Sequence, residues 1–274
     1  MTNGTADVAV LQRLRTLVRN RLGIIIPATL SQRTLRDLDN FLELRQLRWH
    51  ELLVLLEEDR DPIALKDLAD IFTIGHTYFF REPNHFDFLK EVVFPDLHAR
   101  GVRDLRFWSA ACASGEEAYS MILTMLEYYG ENYWLLDAGV LATDISRAAL
   151  SKAVDGVYNA DGLRNIPNPL AQKWFSTQGD GRVVIDKRIR REATFRWLNL
   201  ADPLPVFQLP FHVIFCRNVM LYFDEETRAS AIERLSRCLA PGGWLVIGQA
   251  EDSRAARNWL EPVTGSIYRK PLER

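Results

Sequence analysis

A chain of 274 residues is too long for one small domain and comfortable for an α/β domain with an attachment. At 47% hydrophobic and 26% charged, with a net charge of -2, it argues against a general nucleic-acid binder. No apolar run approaches the roughly 20 residues that span a bilayer, and the N-terminus lacks the apolar stretch of a signal peptide, so neither membrane insertion nor export is expected. Cys112, Cys216 and Cys238 are an odd count without a C-x-x-C pair, which implies neither a disulfide framework nor a zinc site and fits buried thiols in a reducing cytoplasm.

From residue 8 to about 74 the pattern is helical, with no strand-like alternation. Val10, Leu11, Leu14, Val18 and Leu22 form one amphipathic stripe; Leu35, Leu38, Phe41, Leu42 and Leu52 to Leu56 form others. Residues 11–50 carry Arg13, Arg15, Arg19, Arg21, Arg33, Arg36, Arg45 and Arg48 against Asp37, Asp39 and Glu43. This excess is either a solvated face or a docking surface for an acidic partner, since arginine grips carboxylates bidentately. Ile71 to Phe88 packs five phenylalanines and a tyrosine around Thr77, Arg81 and His85, then enters a helix through Glu82 and Pro83. Such aromatic density means core, yet an arginine is rarely buried without an anionic partner. His76 and His85 have no partner at metal-ligand spacing and read as structural or surface residues.

Leu105 to Ser109 reads as a buried strand, Ala110 to Gly115 as a loop of small residues, and the residues from Glu116 as a helix. Ser114 and Glu117 have the capping-box spacing. A strand, a tight loop and a helix start let a nucleoside lie against the backbone. Gly139 to Asp144 is a second strand ending in an acid, where Asp144 is placed either to accept ribose hydroxyls or to cap the helix from Ser146. Residues 166–197 break the βα rhythm. The turn Gly179-Asp180-Gly181, an alternating segment Arg182 to Arg190 and a short run Ala193 to Trp197 predict a small inserted antiparallel element whose edge suits a partner. The rhythm resumes with the strand Phe211 to Cys216, Arg217-Asn218 and Tyr222, a helix from Asp224 to Leu239, a strand Trp244 to Gly248 and a final antiparallel strand Ser266 to Lys270.

TYFFRE at 77–82, RFWSAACASGEEAYS at 106–120, ATDIS at 142–146, LNL at 198–200 and FCRNVMLYF at 215–223 resemble, in order and spacing, the chemotaxis receptor methyltransferases of the CheR type. The resemblance covers nearly the whole chain. It implies an α/β protein: an N-terminal all-helical domain (residues 1–75), then a class I S-adenosylmethionine-dependent methyltransferase (Rossmann-like) domain (76–274), with a small antiparallel β-subdomain inserted at about 166–197. It also implies transfer of a methyl group from S-adenosylmethionine to glutamate side chains of membrane chemoreceptors, with S-adenosylhomocysteine as product and no metal. The acidic, glutamate-rich cytoplasmic helices of the receptors are the implied partners, a receptor tail or a regulatory protein is a further one, and the enzyme is expected to be monomeric.

Carried over by position, the resemblance implies cofactor contacts from Thr77, Arg81, Glu117, Asp144, Asn199, Leu200, Arg217 and Asn218, and catalytic roles for Arg81 and Tyr222. Asp144 takes the ribose, the Asn199–Leu200 turn borders the adenine, and Glu117 becomes either a helix cap or the ligand of the methionine amine. Two features depart from the family: Gly75 stands where asparagine is common, and residues 31–47 lack the expected lysine-containing helix. A glutamate near its ordinary pKa of about 4.3 is ionised at neutral pH, so its methylation requires alignment and desolvation rather than a general base, in keeping with the lack of a catalytic His or Cys constellation. Rival readings are a nucleotide-binding oxidoreductase, which lacks the glycine triplet, and a non-catalytic adaptor on the same fold.

Overall fold

The computed structural model of the protein describes residues 8–73, 75–251 and 254–272; residues 1–7 of the expected helical region and Ile74 of the aromatic segment lie outside the described residues. Four helices come first: α1 (Val8–Leu22), α2 (Gln32–Arg45), α3 (Trp49–Glu57) and α4 (Pro62–Phe72). Their apolar stripes meet in one core that includes Leu14, Val18, Leu38, Leu42, Leu52 and Leu68. Caps set the starts: Ser31 Oγ accepts the Thr34 amide, and Asp61, ahead of Pro62, accepts those of Ile63 and Ala64. Most of the arginines are engaged within the chain. Arg13 forks onto Glu57 at 2.6 and 2.8 Å, Arg45 bridges Asp61 and Asp67, Arg15 donates to the Ala28 carbonyl, and Arg19 reaches Asp224 at 2.7 Å.

Beyond them, α5 (Asn84–Phe88) runs through a π turn at Leu89–Val93 into α6 (Phe94–Ala99). There follow β1 (Asp104–Ser109), α7 (Glu116–Tyr129), β2 (Asp137–Asp144), α8 (Arg147–Asp155), β3 (Val157–Asn159), α9 (Asn168–Trp174), β4 (Phe175–Thr177), β5 (Arg182–Ile185) and α10 (Lys187–Arg191). The chain closes with β6 (Ala193–Trp197), β7 (Phe211–Cys216), α11 (Glu225–Cys238), β8 (Leu239–Ile247), β9 (Glu261–Thr264) and β10 (Ile267–Arg269).

Seven strands form one sheet in the order β6-β2-β1-β7-β8-β10-β9, parallel from β6 to β8, with β10 antiparallel to both neighbours. Alternate residues of each strand enter opposite cores, Phe107 and Phe215 on one face, Trp108 and Ile214 on the other. The chain steps outward from β1 to β2 to β6, then returns to the other side of β1 with β7. This reversal is a topological switch point, and it opens a crevice beyond the carboxyl ends of β1 and β7.

The small sheet differs in detail from the expected hairpin. Its order is β3-β5-β4, with all pairs antiparallel. The segment expected to alternate from Arg182 to Arg190 ends as a strand at Ile185, because the Asp186 side chain accepts the Arg188 amide and starts α10. Ala193 to Trp197 pairs in parallel with Val140 to Asp144 and so belongs to the main sheet, where Ala193 and Phe195 pack on its core. Local alternation cannot say which sheet a short strand joins; the partner decides.

Candidate active site

The loop after β1 reaches the switch point as backbone and methyl groups. Ala110 N–H donates to the Phe215 carbonyl at 2.7 Å and Cys112 N–H to that of Thr143 at 3.0 Å, which pins the loop to β7 and β2. Gly115 enters α7 with φ +94°, and a Cβ there would come within 2.8 Å of the Ala153 Cβ. The capping box expected from Ser114 and Glu117 does not form. Gly115 is the N-cap, Ser114 Oγ turns to Glu116 Oε2 at 2.7 Å, and Glu117 is drawn inward by Ser109 Oγ at 2.7 Å and Arg217 at 3.2 Å. The helix starts one residue too late for the box, and a buried arginine holds the glutamate more strongly than an exposed amide would.

Asp144 ends β2 with both oxygens engaged by backbone: Oδ2 accepts the Ala113 N–H and Oδ1 that of Ser146, each at 2.8 Å. The cap of α8 is Ser146, whose Oγ accepts the Ala149 N–H, so Asp144 does not fill that role. Each Asp144 oxygen keeps a lone pair. Burial raises its pKa, against the pull of the amides. Burial likewise raises that of Glu117, although Arg217 opposes it.

Arg217 holds the far wall. Its side chain is 1% exposed and spans Glu82 and Glu117, each at 3.2 Å, while it donates to the Arg81 carbonyl and lies beside the Phe86 and Phe215 rings. The anionic partner sought for an arginine in the aromatic segment is therefore there, but Glu82 serves Arg217 rather than Arg81. Burial pushes the Glu82 carboxyl up, yet Arg217 and Asn218 together hold it below its ordinary value. Arg81 Nη1 donates to the His76 carbonyl at 2.9 Å. Among the described residues, four of the six non-glycine residues with positive φ adjoin this site: Phe80, Glu82, Ala113 and Asn218. Backbone strain of this kind persists where the surroundings over-determine it, and it clusters at functional sites.

One cleft of about 890 Å³, counted with its open mouth, is lined by Thr77, Arg81, Glu117, Asp144, Asn199, Leu200, Arg217, Asn218 and Tyr222. All nine candidate residues thus meet, from segments separated by up to 145 positions in the chain. The Asn199 side chain is committed to protein partners, donating to the Arg21 carbonyl at 3.1 Å and accepting the Ala201 amide. Gly75 also lines the cleft, as does His76. His85 is buried with Nε2 on Ser266 Oγ at 2.8 Å, and burial, then Arg217, lowers its pKa to about 4.

Several residues escaped the sequence reading. Leu22 and Ile24, at the end of α1, line the cleft together with Phe72 of α4. Glu251 binds the loop after β7 from behind. Leu22 is legible in its amphipathic stripe only as a core residue, and nothing periodic marks Ile24 or Glu251, although Ser146, at the end of ATDIS, is legible as a cap.

The residues fit a nucleoside cofactor carrying an amino acid: a strand-end carboxylate with spare lone pairs for hydroxyls, a buried carboxylate for an ammonium group, and a wall of Ala110, Ala111 and Ala113 that leaves room for a ring. Fold and site together define a class I methyltransferase architecture. Residues 75–269 match the family described as CheR methyltransferase, SAM binding domain. A chemotaxis protein methyltransferase of Borreliella burgdorferi is 34% identical over 265 residues, covering 95% of this chain and 93% of that protein. Chemotaxis protein methyltransferase 1 of Pseudomonas aeruginosa is 32% identical over 252 residues, 90% of this chain and 91% of that one. The chain belongs to the CheR methyltransferase family, and it is an S-adenosylmethionine-dependent methyltransferase.

Proposed function

We propose that this enzyme methylates glutamate side-chain carboxylates of membrane chemoreceptors to glutamate methyl esters, acting in the cytoplasm as a monomer built from a helical domain (1–75) and a catalytic domain (76–274). The observation that carries this reading is the convergence of all nine residues on one cleft at the switch point. The family's relatives bear chemotaxis in their names, and the helical region is rich in arginine, as a glutamate-rich partner requires. Among the described residues no helix is long and apolar enough to cross a membrane.

S-adenosylmethionine supplies a methyl group on a positively charged sulfur. In this reading Asp144 receives the ribose hydroxyls, Glu117 the amine, and the Asn199–Leu200 turn borders the base, with Thr77, Arg217 and Asn218 completing the cradle. Arg81 and Tyr222 hold the incoming carboxylate, one by charge and one by a phenolic hydrogen bond. The substrate carboxylate is ionised well below pH 7, so no base is called upon. Arg13, Arg15 and Arg19 being engaged within the chain, the receptor's acidic helix falls to exposed arginines of α2: Arg36, and Arg33, which only a loose 3.7 Å pair with Asp37 holds. Receptor affinity is then salt-dependent.

The test is transfer of label from methyl-labelled S-adenosylmethionine to a receptor cytoplasmic fragment. The label should leave as methanol in alkali, as an ester requires, and kcat should stay nearly flat from pH 6 to 8. Tyr222→Phe should lower kcat more than cofactor affinity, and Arg81→Ala should lower both. Label stable to alkali, or a fragment left unlabelled, overturns the reading.

A further inference from the structure

We infer that Glu251 is a positioning residue for methyl transfer, one that sets the loop between β7 and α11 through the backbone amides of Asn218 and Met220. The inference rests on the proposed function only in taking that loop to deliver Asn218 to the cofactor and Tyr222 to the reacting centre. Glu251 is 7% exposed and does not line the cleft; it stands behind the wall. Its Oε2 accepts the N–H of Asn218 at 2.8 Å and of Gly248 at 2.7 Å, and its Oε1 accepts that of Met220 at 2.7 Å. Two of these amides flank Val219, and Asn218, Val219 and Tyr222 all face the cleft.

The arrangement is costly to build, which points to a use. A buried carboxylate is tolerated when charge-assisted hydrogen bonds replace its water, and here all three go to backbone, two of them at the turn after β7. Asn218 sits at φ +57°, a conformation a non-glycine residue keeps only when its neighbours impose it. Receiving the Asn218 and Met220 amides on the two oxygens of one rigid carboxylate imposes it. Gly248 makes the approach possible, since a Cβ there would lie 2.7 Å from Glu251 Oε2 and 2.6 Å from Asn218 Nδ2. From the other side Glu82 accepts the Asn218 side-chain amide at 3.1 Å and the Gln249 N–H at 3.2 Å, so two carboxylates clamp one turn. Arg217 is held separately by Glu82 and Glu117, and of these three carboxylates it is Glu251 that receives the backbone amides of Asn218 and Met220.

The deciding variant is Glu251→Gln. Its carbonyl oxygen can accept the Asn218 and Gly248 amides, but its NH2 group then faces the Met220 N–H, donor against donor. We expect kcat for methyl transfer to a receptor fragment to fall at least tenfold, with the circular dichroism spectrum retained and S-adenosylhomocysteine affinity within threefold of wild type. The Met220 amide proton resonance should lose the downfield shift that a carboxylate acceptor gives. Combined with Tyr222→Phe, the losses should be less than additive, because both act through the placement of one hydroxyl. Should the Gln variant not fold, Glu251→Asp, which keeps the charge one methylene short of Met220, is read by the same measurements. An unchanged kcat with the Met220 resonance moved overturns the inference, and so do fully additive losses. If Tyr222→Phe alone leaves kcat intact, the assignment of Tyr222 falls, while the kcat of Glu251→Gln still decides the role of Glu251.

Discussion

At the scale of single residues, the structure separates roles that share one sequence position. Asp144 is free of the helix cap because Ser146 fills it, and its two backbone amides fix the carboxylate without exhausting it. Asp144→Ala should therefore weaken S-adenosylhomocysteine binding by about 1.5–3 kcal/mol, roughly 10- to 150-fold, as measured by calorimetry. Unaltered affinity in a folded variant would leave the carboxylate a purely structural brace for Ala113 and Ser146. Gly75 makes the converse case. Its φ lies outside the left-handed region, and the nearest atom to an added Cβ is that of Ala113 at 3.9 Å, an ordinary contact. Gly75→Asn should thus fold normally and bind the cofactor about 2- to 10-fold more tightly, the worth of one added hydrogen bond. Equal binding would mean that an asparagine at this position does not reach the cofactor.

At the scale of elements, the cleft is built by junctions rather than by any one strand or helix. From α4, Asp70 accepts Ser146 Oγ at 2.6 Å and the Ala148 N–H at 3.2 Å, so a helix of the first region caps α8 of the second. Ser146 N–H in turn holds Asp144. Asp70→Ala should cost about 1–2 kcal/mol of stability, seen as a melting temperature lower by a few degrees. It should also loosen cofactor binding severalfold, since the chain Asp70–Ser146–Asp144 leads to the ribose site of the proposed function. A fall in melting temperature with unchanged affinity would uncouple the two ends of that chain. The π turn at Leu89–Val93 between α5 and α6 leads straight into Pro95, which lacks the amide that would bond the Glu91 carbonyl and whose ring crowds that carbonyl.

At the scale of the whole molecule, acid stability follows from two buried histidines, His85 and His212. Burial, then Arg217, holds His85 near a pKa of about 4, and burial, then Arg106 and Arg100, does the same to His212. Well above pH 6.5 both are neutral whether the chain is folded or not, and their contribution is complete. As the pH falls from about 6.5 to about 4 the unfolded chain takes up protons that the folded one refuses, so stability is lost by up to about 3 kcal/mol for each histidine. The raised carboxyls of Glu117 and Asp144 act in the opposite sense, since the folded chain protonates them first as the pH falls. The histidine share is read by nuclear magnetic resonance: the ring signals of His85 and His212 should stay in their neutral positions to about pH 4. Titration of either near pH 6.5 would show that its site is open to water.

The sequence by itself determined the order of elements and the chemistry at their ends. Apolar periodicity is local, so the stripes of α1 to α3, the helical character up to about residue 74, the buried strands β1, β2 and β7, and the acid closing β2 could all be read from spacing alone. Motifs such as TYFFRE and FCRNVMLYF carried the family and the nine candidate residues. Tertiary structure alone decided which strands pair and which polar atoms meet. Ala193 to Trp197 joins the main sheet because β2 offers it a parallel edge, and Glu117 leaves the helix cap because Arg217 lies within reach. The entry of Leu22 and Ile24 into the cleft, and the grip of Glu251 on the loop after β7, depend on contacts between residues far apart in the chain. Such contacts arise only when the folded chain trades water for a buried partner, and no local pattern records which partner that will be.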